Sequence, residues 1–240
     1  MKKGTVNPPQ RASRLDHLVI AAASLDEGVD WCEATLGVTP GPGGEHALFG
    51  THNRLLKLDG ETTPQAYLEI IAIHPTRQPT RSAPLKRWFD LDHPGLQQAL
   101  ATEGPQLIHW VASVPRLDPV HAACAGLGLD PGRILVASRP TPTGLLEWRI
   151  TVRDDGQRIW DGCWPTLIEW GETHPTATMP DSGLRLRQLS LSHPEAARLA
   201  PALAVLGLED IALQAGPVGL HAELDTPLGR VQLHSHAIRP

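Results

Sequence analysis

Four side chains that can bind metal ions lie at matching places in two stretches of the sequence. His17 and Glu69 lie in an early and a late apolar run of the first stretch, and His109 and Glu169 do so in the second. The separations are similar, 69 − 17 = 52 and 169 − 109 = 60 residues. Side chains alternate between the two faces of a strand, so if the apolar neighbours face the core, each glutamate faces the opposite side of the sheet. If that side is the concave side of a curled sheet, the buried carboxylate needs a hydrogen-bonding partner or a bound cation. Two imidazoles and two carboxylates that converge would suit a divalent Zn, Ni, Fe or Mn ion.

Five further residues could contact a substrate at such a site. Asn53 follows a tight turn, from which its side chain could donate a hydrogen bond. Trp110 and Trp170 lie beside the proposed ligands and could wall a cavity. Arg139 and Arg149 could meet an anionic group. A structural alternative stays open throughout: the glutamates could face solvent, the histidines and tryptophans could be core residues, and the arginines could be solvated.

The elements that carry these residues repeat along the chain. A strand, a helix and three strands are predicted in residues 14–76, again in 105–172 and a third time in 184–236, after a flexible arm at 1–13. The first helix opens with the capping box Ser24-Leu25-Asp26-Glu27. Three strands after each helix argue against a doubly wound sheet, which places a helix after nearly every strand.

The number of residues between the first strand and the end of the helix is nearly the same in each predicted unit, which supports internal duplication. It is 20 residues from His17 to Gly37, 19 from His109 to Gly128 and 19 from Gln188 to Gly207. Each helix ends at Leu-Gly. We therefore predict an α+β fold of repeated βαβββ units that form a curled mixed sheet around a cavity.

The third unit is predicted to be degenerate. Gln188 stands where the other units have histidine, and the last strand, Arg230 to His234, has no carboxylate. An apolar sheet face without a partner must be covered. We expect this unit either to pack against the first two or to pair with a second chain in a homodimer.

Several segments resemble a known superfamily. Leu15-Asp16-His17-Leu18-Val19-Ile20 resembles the opening of vicinal oxygen chelate proteins. Tyr67 to Ala72 and Leu167 to Trp170 are similar to the two halves of the glyoxalase-like domain family of that superfamily. The superfamily also contains bleomycin-resistance proteins and extradiol dioxygenases. The resemblance covers about residues 14–235 and implies the vicinal oxygen chelate fold.

The resemblance also implies a ligand set. In characterised relatives, residues on the first and last strands of two paired units bind the metal. The corresponding positions here are the four residues with matching spacing, His17, Glu69, His109 and Glu169. The second unit departs from the pattern, because an insertion, Arg153 to Pro165, precedes its last strand. Glu147, one strand earlier, is therefore a rival to Glu169.

A metal-dependent enzyme acting on a small molecule with vicinal oxygens is the function that the resemblance implies. The metal would polarise a carbonyl, and Glu69 or Glu169 would move a proton beside it, in isomerase or lyase chemistry like that of glyoxalase I. A variant uses His17, His109 and one glutamate around iron(II) as a dioxygenase. The alternative is a metal-free small-molecule binding or sequestering protein of the bleomycin-resistance type. A structural or interaction protein is a third interpretation.

Composition narrows the partners. The net charge is −5 and the 21 lysines and arginines are scattered, which argues against nucleic acid. No apolar run approaches the roughly 20 residues of a membrane span. The basic start, Met1 to Pro9, lacks the apolar stretch of a signal peptide. We therefore expect a cytoplasmic protein with a small-molecule substrate and no membrane partner.

Overall fold

The computed structural model describes residues 13–60, 63, 65–141, 144–208, 211–235 and 238. The arm predicted for residues 1–13 lies outside this part of the chain, apart from Ser13.

Three βαβββ units follow one another in the described chain. The first contains β1 (Arg14–Ala21), α1 (Leu25–Leu36), β2 (Glu45–His46), β3 (Thr51–Leu58) and β4 (Ala66–Ile73), and α2 (Pro94–Glu103) follows it. The second contains β5 (Gln106–Ser113), α3 (Leu117–Gly126), β6 (Arg133–Thr141), β7 (Gly144–Val152) and β8 (Thr166–Trp170). The third contains β9 (Arg185–Ser192), α4 (Ala196–Leu206), β10 (Ala212–Gln214), β11 (Gly219–Thr226) and β12 (Gly229–His234).

The first two units share one eight-stranded sheet. Its strand order is β2-β3-β4-β1-β5-β8-β7-β6, so the first strands of the two units lie side by side at the centre. The two ends of the sheet also meet, because Arg139 of β6 donates through Nη1 to the carbonyl of Gly43, just before β2, at 2.8 Å. The sheet therefore curls until it nearly closes. The predicted α+β fold, with a curled mixed sheet, is confirmed.

Helix boundaries follow from local chemistry. The hydroxyl of Ser24 accepts the Glu27 N–H at 3.2 Å at the start of α1, and Gly37 ends this helix with φ of 72°. Helix α2 was not predicted from the sequence, although its start has clear signals. The His93 side chain caps it and Pro94 is its first residue.

Two apolar cores lie on the two faces of the large sheet. The inner core joins inward side chains of the sheet to Trp88 and Phe89 and to Leu96 and Leu100 of α2. The segment between the first two units therefore fills part of the curled sheet and leaves the rest as a cavity.

The third unit covers the outer face. Its four-stranded sheet, in the order β10-β9-β11-β12, contributes Leu191, Leu220 and Leu224 to the outer core, which also contains Trp110 of β5. Gln188 lies on the opposite, exposed face of this small sheet. The apolar face of the third unit is thus buried within the chain. A homodimer stays a prediction.

No described helix combines the length and the apolar character needed to cross a lipid bilayer. Cys32, Cys124 and Cys163 are buried and form no disulfide.

Candidate functional site

A β-bulge in β1 brings two consecutive side chains together at the inner face. Leu15 pairs with Ala112 and His17 pairs with Val111, so Asp16 is an extra residue between two successive partners on β5. In a regular strand, Asp16 and His17 would face opposite sides of the sheet. The bulge re-aims the chain locally, and the two side chains meet at 2.7 Å between Nδ1 and Oδ1.

Asp16 is fully buried and accepts three N–H groups. His17 Nδ1 donates to Oδ1, while Trp170 Nε1 and His174 Nε2 donate to Oδ2 at 2.8 and 3.2 Å. Burial alone would raise the pKa of Asp16, but hydrogen bonds and positive charge from the two histidines hold this pKa well below its ordinary value. Asp16 is therefore ionised and acts only as an acceptor.

The ionised Asp16 fixes the tautomer of His17. Since a carboxylate can only accept, Nδ1 carries a proton, and in the neutral form of the ring the lone pair is therefore on Nε2. That Nε2 lies 3.6 Å from Oε2 of Glu69. The Tyr67 ring stacks on the imidazole with centroids 4.4 Å apart and holds its orientation. His17 is thus arranged as a base with its free nitrogen towards Glu69.

Asn53 positions Glu69. Its Nδ2 donates to Glu69 Oε1 at 2.6 Å and lies 3.3 Å from His46 Nε2, while its Oδ1 accepts the Gly44 N–H at 2.7 Å. Burial raises the pKa of Glu69, although the positive charge of His17 and the Asn53 hydrogen bond oppose this shift. Burial lowers the pKa of His46 to about 3, so this ring stays neutral and can accept from Asn53.

These groups line one small space, the inner cavity, with a volume of about 30 Å³. His17, Asn53, Glu69, Arg139 and Trp170 are among its lining residues. Aromatic rings, including Trp88, Phe89 and Trp148, form much of the remaining wall. The cavity has room for a water molecule or for the polar end of a ligand.

His109 is buried but does not line the inner cavity. Its Nε2 accepts the Thr166 N–H at 3.2 Å and lies 3.0 Å from the Thr166 hydroxyl. Burial lowers the pKa of His109 well below its ordinary value, and the positive charges of Arg158 and His17 add to this effect. The lone pair on Nε2 of the neutral ring is therefore engaged by the backbone.

Glu169 lies on the outer face, so the expected convergence of four ligands does not occur. Ile168 and Trp170 of β8 point inward, and strand alternation turns the residue between them outward. Glu169 Oε2 instead accepts the Leu117 N–H at 2.6 Å at the start of α3. It caps this helix, whose preceding residue provides no side-chain cap.

Arg149 and Trp110 do not line the inner cavity. Arg149 faces Glu169 on the neighbouring strand, at 3.2 Å, and makes two hydrogen bonds of 2.8 Å to Asp118. Trp110 is fully buried in the outer core and donates to the Cys163 carbonyl at 3.3 Å. Both side chains stabilise the outer face.

The residues present do not fit a divalent first-row metal. Such an ion needs about four ligands, and of the predicted set only His17 and Glu69 meet in the inner cavity. The Nε2 atom of His109 is occupied and Glu169 is on the other face. Among the described residues, no group of three or more His, Cys, Asp or Glu side chains could hold a metal ion.

A sequence profile described as "Glyoxalase-like domain" matches residues 15–207, most of the chain. The chain belongs to the glyoxalase-like domain family. A search of curated proteins found no match.

Solved structures similar to this chain include one with a TM-score above 0.5 and two below it. A hypothetical protein from Staphylococcus aureus is 12% identical over 86% of this chain and 87% of its own, with a TM-score of 0.58. Methylmalonyl-CoA epimerase of Streptomyces coelicolor is 19% identical over 68% of this chain and 99% of its own, with a TM-score of 0.41. The epimerase of Mycobacterium tuberculosis is 16% identical over 68% and 90%, with a TM-score of 0.37. The family implied by the resemblance is confirmed by the profile match.

The roles of three residues at this site were not predicted from the sequence. Asp16 belongs to the recognised opening segment, but a bulge cannot be read from that segment. Tyr67 looks like an ordinary strand residue. His174 lies beyond the last predicted strand of the second unit, and the signal available for it is the His-Pro pair that opens a short helical turn.

Proposed function

We propose that this glyoxalase-like protein is an enzyme that moves a proton on a carbon atom next to a carbonyl, in isomerase or lyase chemistry on a small molecule. The observation that carries the proposal is the 2.7 Å hydrogen bond from His17 to the buried Asp16. It sets the free His17 nitrogen towards Glu69 in the inner cavity. A carboxylate, an oriented imidazole and a second carboxylate in a buried cavity make an acid–base system.

The proposed step is redox-neutral. The C–H bond breaks, its electron pair forms the C=C bond of an enolate, and the carbonyl oxygen takes the negative charge. The proton goes to the His17–Glu69 pair, where the negative charge of Asp16 stabilises the imidazolium form. Arg139 supplies positive charge beside the enolate. The proton then returns to the same carbon, or, where that carbon bears a hydroxyl group that loses its own proton and becomes the new carbonyl, to the former carbonyl carbon.

The energetics of burial support a functional role for this cluster. Two carboxylates and several imidazoles in a sheet interior are expensive to desolvate, and apolar side chains of similar volume are often as stabilising or more so. Perturbed pKa values in a cavity are also typical of functional sites.

A divalent metal is not part of the proposal. His17 and Glu69 supply two donors, and the described structure brings neither His109 nor Glu169 to them. The iron-dependent dioxygenase variant needs a third donor and is not carried forward for the same reason.

A second candidate function is binding or sequestration without chemistry. It is favoured by one observation, namely that only two of the four predicted ligands converge. A binding protein does not require a complete ligand set.

Exchange of carbon-bound hydrogen with solvent tests the proposal. The protein would be incubated in D₂O with a panel of 2-oxo acids, 2-hydroxy acids and acyl compounds, and loss of the proton signal followed by ¹H NMR. We expect exchange in at least one compound and a reduction of about 100-fold or more in the His17→Asn variant. Binding of panel compounds without any exchange would favour the sequestering protein.

A further inference from the structure

The inner cavity adjoins a much larger space, the outer cleft, with a volume of about 400 Å³. Leu55, Arg139 and Pro175 line both spaces. His174, which donates to Asp16, also lines the outer cleft. The proposed acid–base groups therefore lie at the inner end of a cleft large enough for a drug-sized ligand.

The wall of the outer cleft is largely apolar. Side chains from the first two units and from the segment after β8 contribute to it, including Val38, Leu56, Leu145, Leu146 and Met179. Leu145 keeps 56% of its surface exposed, although the next apolar residues along β7 are buried. An apolar wall of this kind suits an apolar ligand body.

Arg139 provides a positive charge at the junction of the two spaces. Its Nη1 donates to the Gly43 carbonyl, and within the described ranges it forms no ion pair with a carboxylate. Its side chain also lines the inner cavity, where its positive charge opposes the rise that burial causes in the pKa of Glu69. A guanidinium group in this position can hold a carboxylate in two-pronged geometry.

The balance of charge limits the ligand to a compound with few negative charges. Lys57 also lines the outer cleft, but its ammonium group lies 3.4 Å from Asp59. Asp181 adds a negative charge to the wall. A polyphosphate group would need several uncompensated cations, which this cleft does not offer.

We propose that the outer cleft binds the apolar body of an amphiphilic monocarboxylate, and that Arg139 holds the carboxylate at the entrance to the inner cavity. This assignment rests on the proposed function, since it names the substrate class of the same site. It makes Arg139 a specificity-determining residue.

Equilibrium binding of octanoate and of neutral octanamide, which has nearly the same shape, tests the proposal. Calorimetry and the fluorescence of the cavity tryptophans would report binding. We expect octanoate to bind at least about 10-fold more tightly than octanamide, as expected for a charged hydrogen-bonded pair. Arg139→Met should remove this preference, and Arg139→Lys should keep part of it.

Two further variants complete the design. Arg133→Met, on the same strand, removes an exposed arginine that lines neither space and should leave both affinities within twofold. Leu145→Ser should weaken both ligands alike. Equal binding of the two ligands by the unmodified protein, no binding of either, or an unchanged preference in Arg139→Met would overturn the proposal. These measurements need no turnover, so their failure is distinct from failure of the exchange test.

Discussion

Asp16 is the residue on which the candidate site depends. A carboxylate without solvent contact is tolerated only where donors surround it, and here three N–H groups do so. The same hydrogen bonds orient His17 and His174, one towards the inner cavity and one at the edge of the outer cleft. Loss of this single charge should therefore affect both stability and the tautomer of His17.

The pH dependence of unfolding should reveal the buried charge. The pKa of Asp16 is lower in the folded protein than its ordinary value of 3.8, so the stability from its ionisation is present above about pH 4 and is lost as the pH falls below it. We expect Asp16→Asn to lower the free energy of unfolding by about 3 kcal/mol at pH 7. In urea titrations this difference should narrow below pH 4. A difference that is constant from pH 7 to pH 2.5 would contradict the assignment.

Residue types and spacing predicted part of the site, but they did not predict which of these side chains lie on the same face of the sheet. His17, Asn53, Glu69 and Trp170 do line the inner cavity, whereas Glu169 does not. Both glutamates are flanked by apolar residues, and the sheet has an apolar core on each of its faces. In a doubly covered sheet, the alternation that would distinguish inward from outward positions is lost.

The elements around β1 set the geometry of the site. Two features of the backbone are important: the bulge at Asp16, and the close approach between β3 and the segment that precedes β2. A Cβ atom at Gly43 would collide with the carbonyl and side-chain oxygens of Asn53, whereas one at Gly41 would lie 3.3 Å from the Leu55 carbonyl. Glycine at position 43 therefore allows Asn53 to reach Glu69.

Alanine at these two glycines gives a matched comparison. Gly43→Ala should displace Asn53, lower the free energy of unfolding by about 1–3 kcal/mol and reduce any exchange activity. Gly41→Ala should change both properties much less. Thermal unfolding and the exchange rate would check this, and equal effects of the two substitutions would show that Gly43 has no special contact with the site.

Element order was predictable because caps and glycine stops leave clear signals, as at Ser24 and Gly37. Two features were not predicted. Helix α2 has its signals in the segment between the first two predicted units, and its role in filling the curled sheet depends on long-range packing. The insertion before β8 is held by contacts of Arg158 with Asp90 and with the Ile108 carbonyl, which local patterns do not indicate.

At the scale of the whole molecule, the third unit is a structural cover. It buries the outer face of the large sheet and contributes to a core shared with the first two units. The sequence predicted that the third unit lacks the histidine and the carboxylate of the other two. It left open whether the apolar face of this unit packs within the chain or against a second copy, because repeat patterns identify units but not how the units pack together.

A chain shortened to end at Asp181 should therefore fold poorly. Removal of the third unit exposes Trp110, Leu107 and neighbouring apolar residues of the outer core. We expect aggregation in light scattering and binding of a hydrophobic dye, in contrast to the full-length chain. A shortened chain that is soluble and equally stable would contradict the role of the third unit as a cover. Light scattering of the full-length chain also tests the predicted homodimer.

The most direct test compares Glu69 and Glu169, which occupy equivalent places in the sequences of the first two units but lie on opposite faces of the sheet. Carbon-bound hydrogen exchange would be measured in chelator-treated protein for Glu69→Gln and Glu169→Gln, with a compound that the unmodified protein exchanges. Glu69→Gln should lose at least about 10-fold in rate while it remains folded. Glu169→Gln should keep the rate and lose about 1 kcal/mol of stability, because it weakens the cap of α3. Equal losses of rate in both variants, or exchange that disappears on chelation and returns with a divalent metal, would contradict the proposed Asp16–His17–Glu69 proton-transfer site.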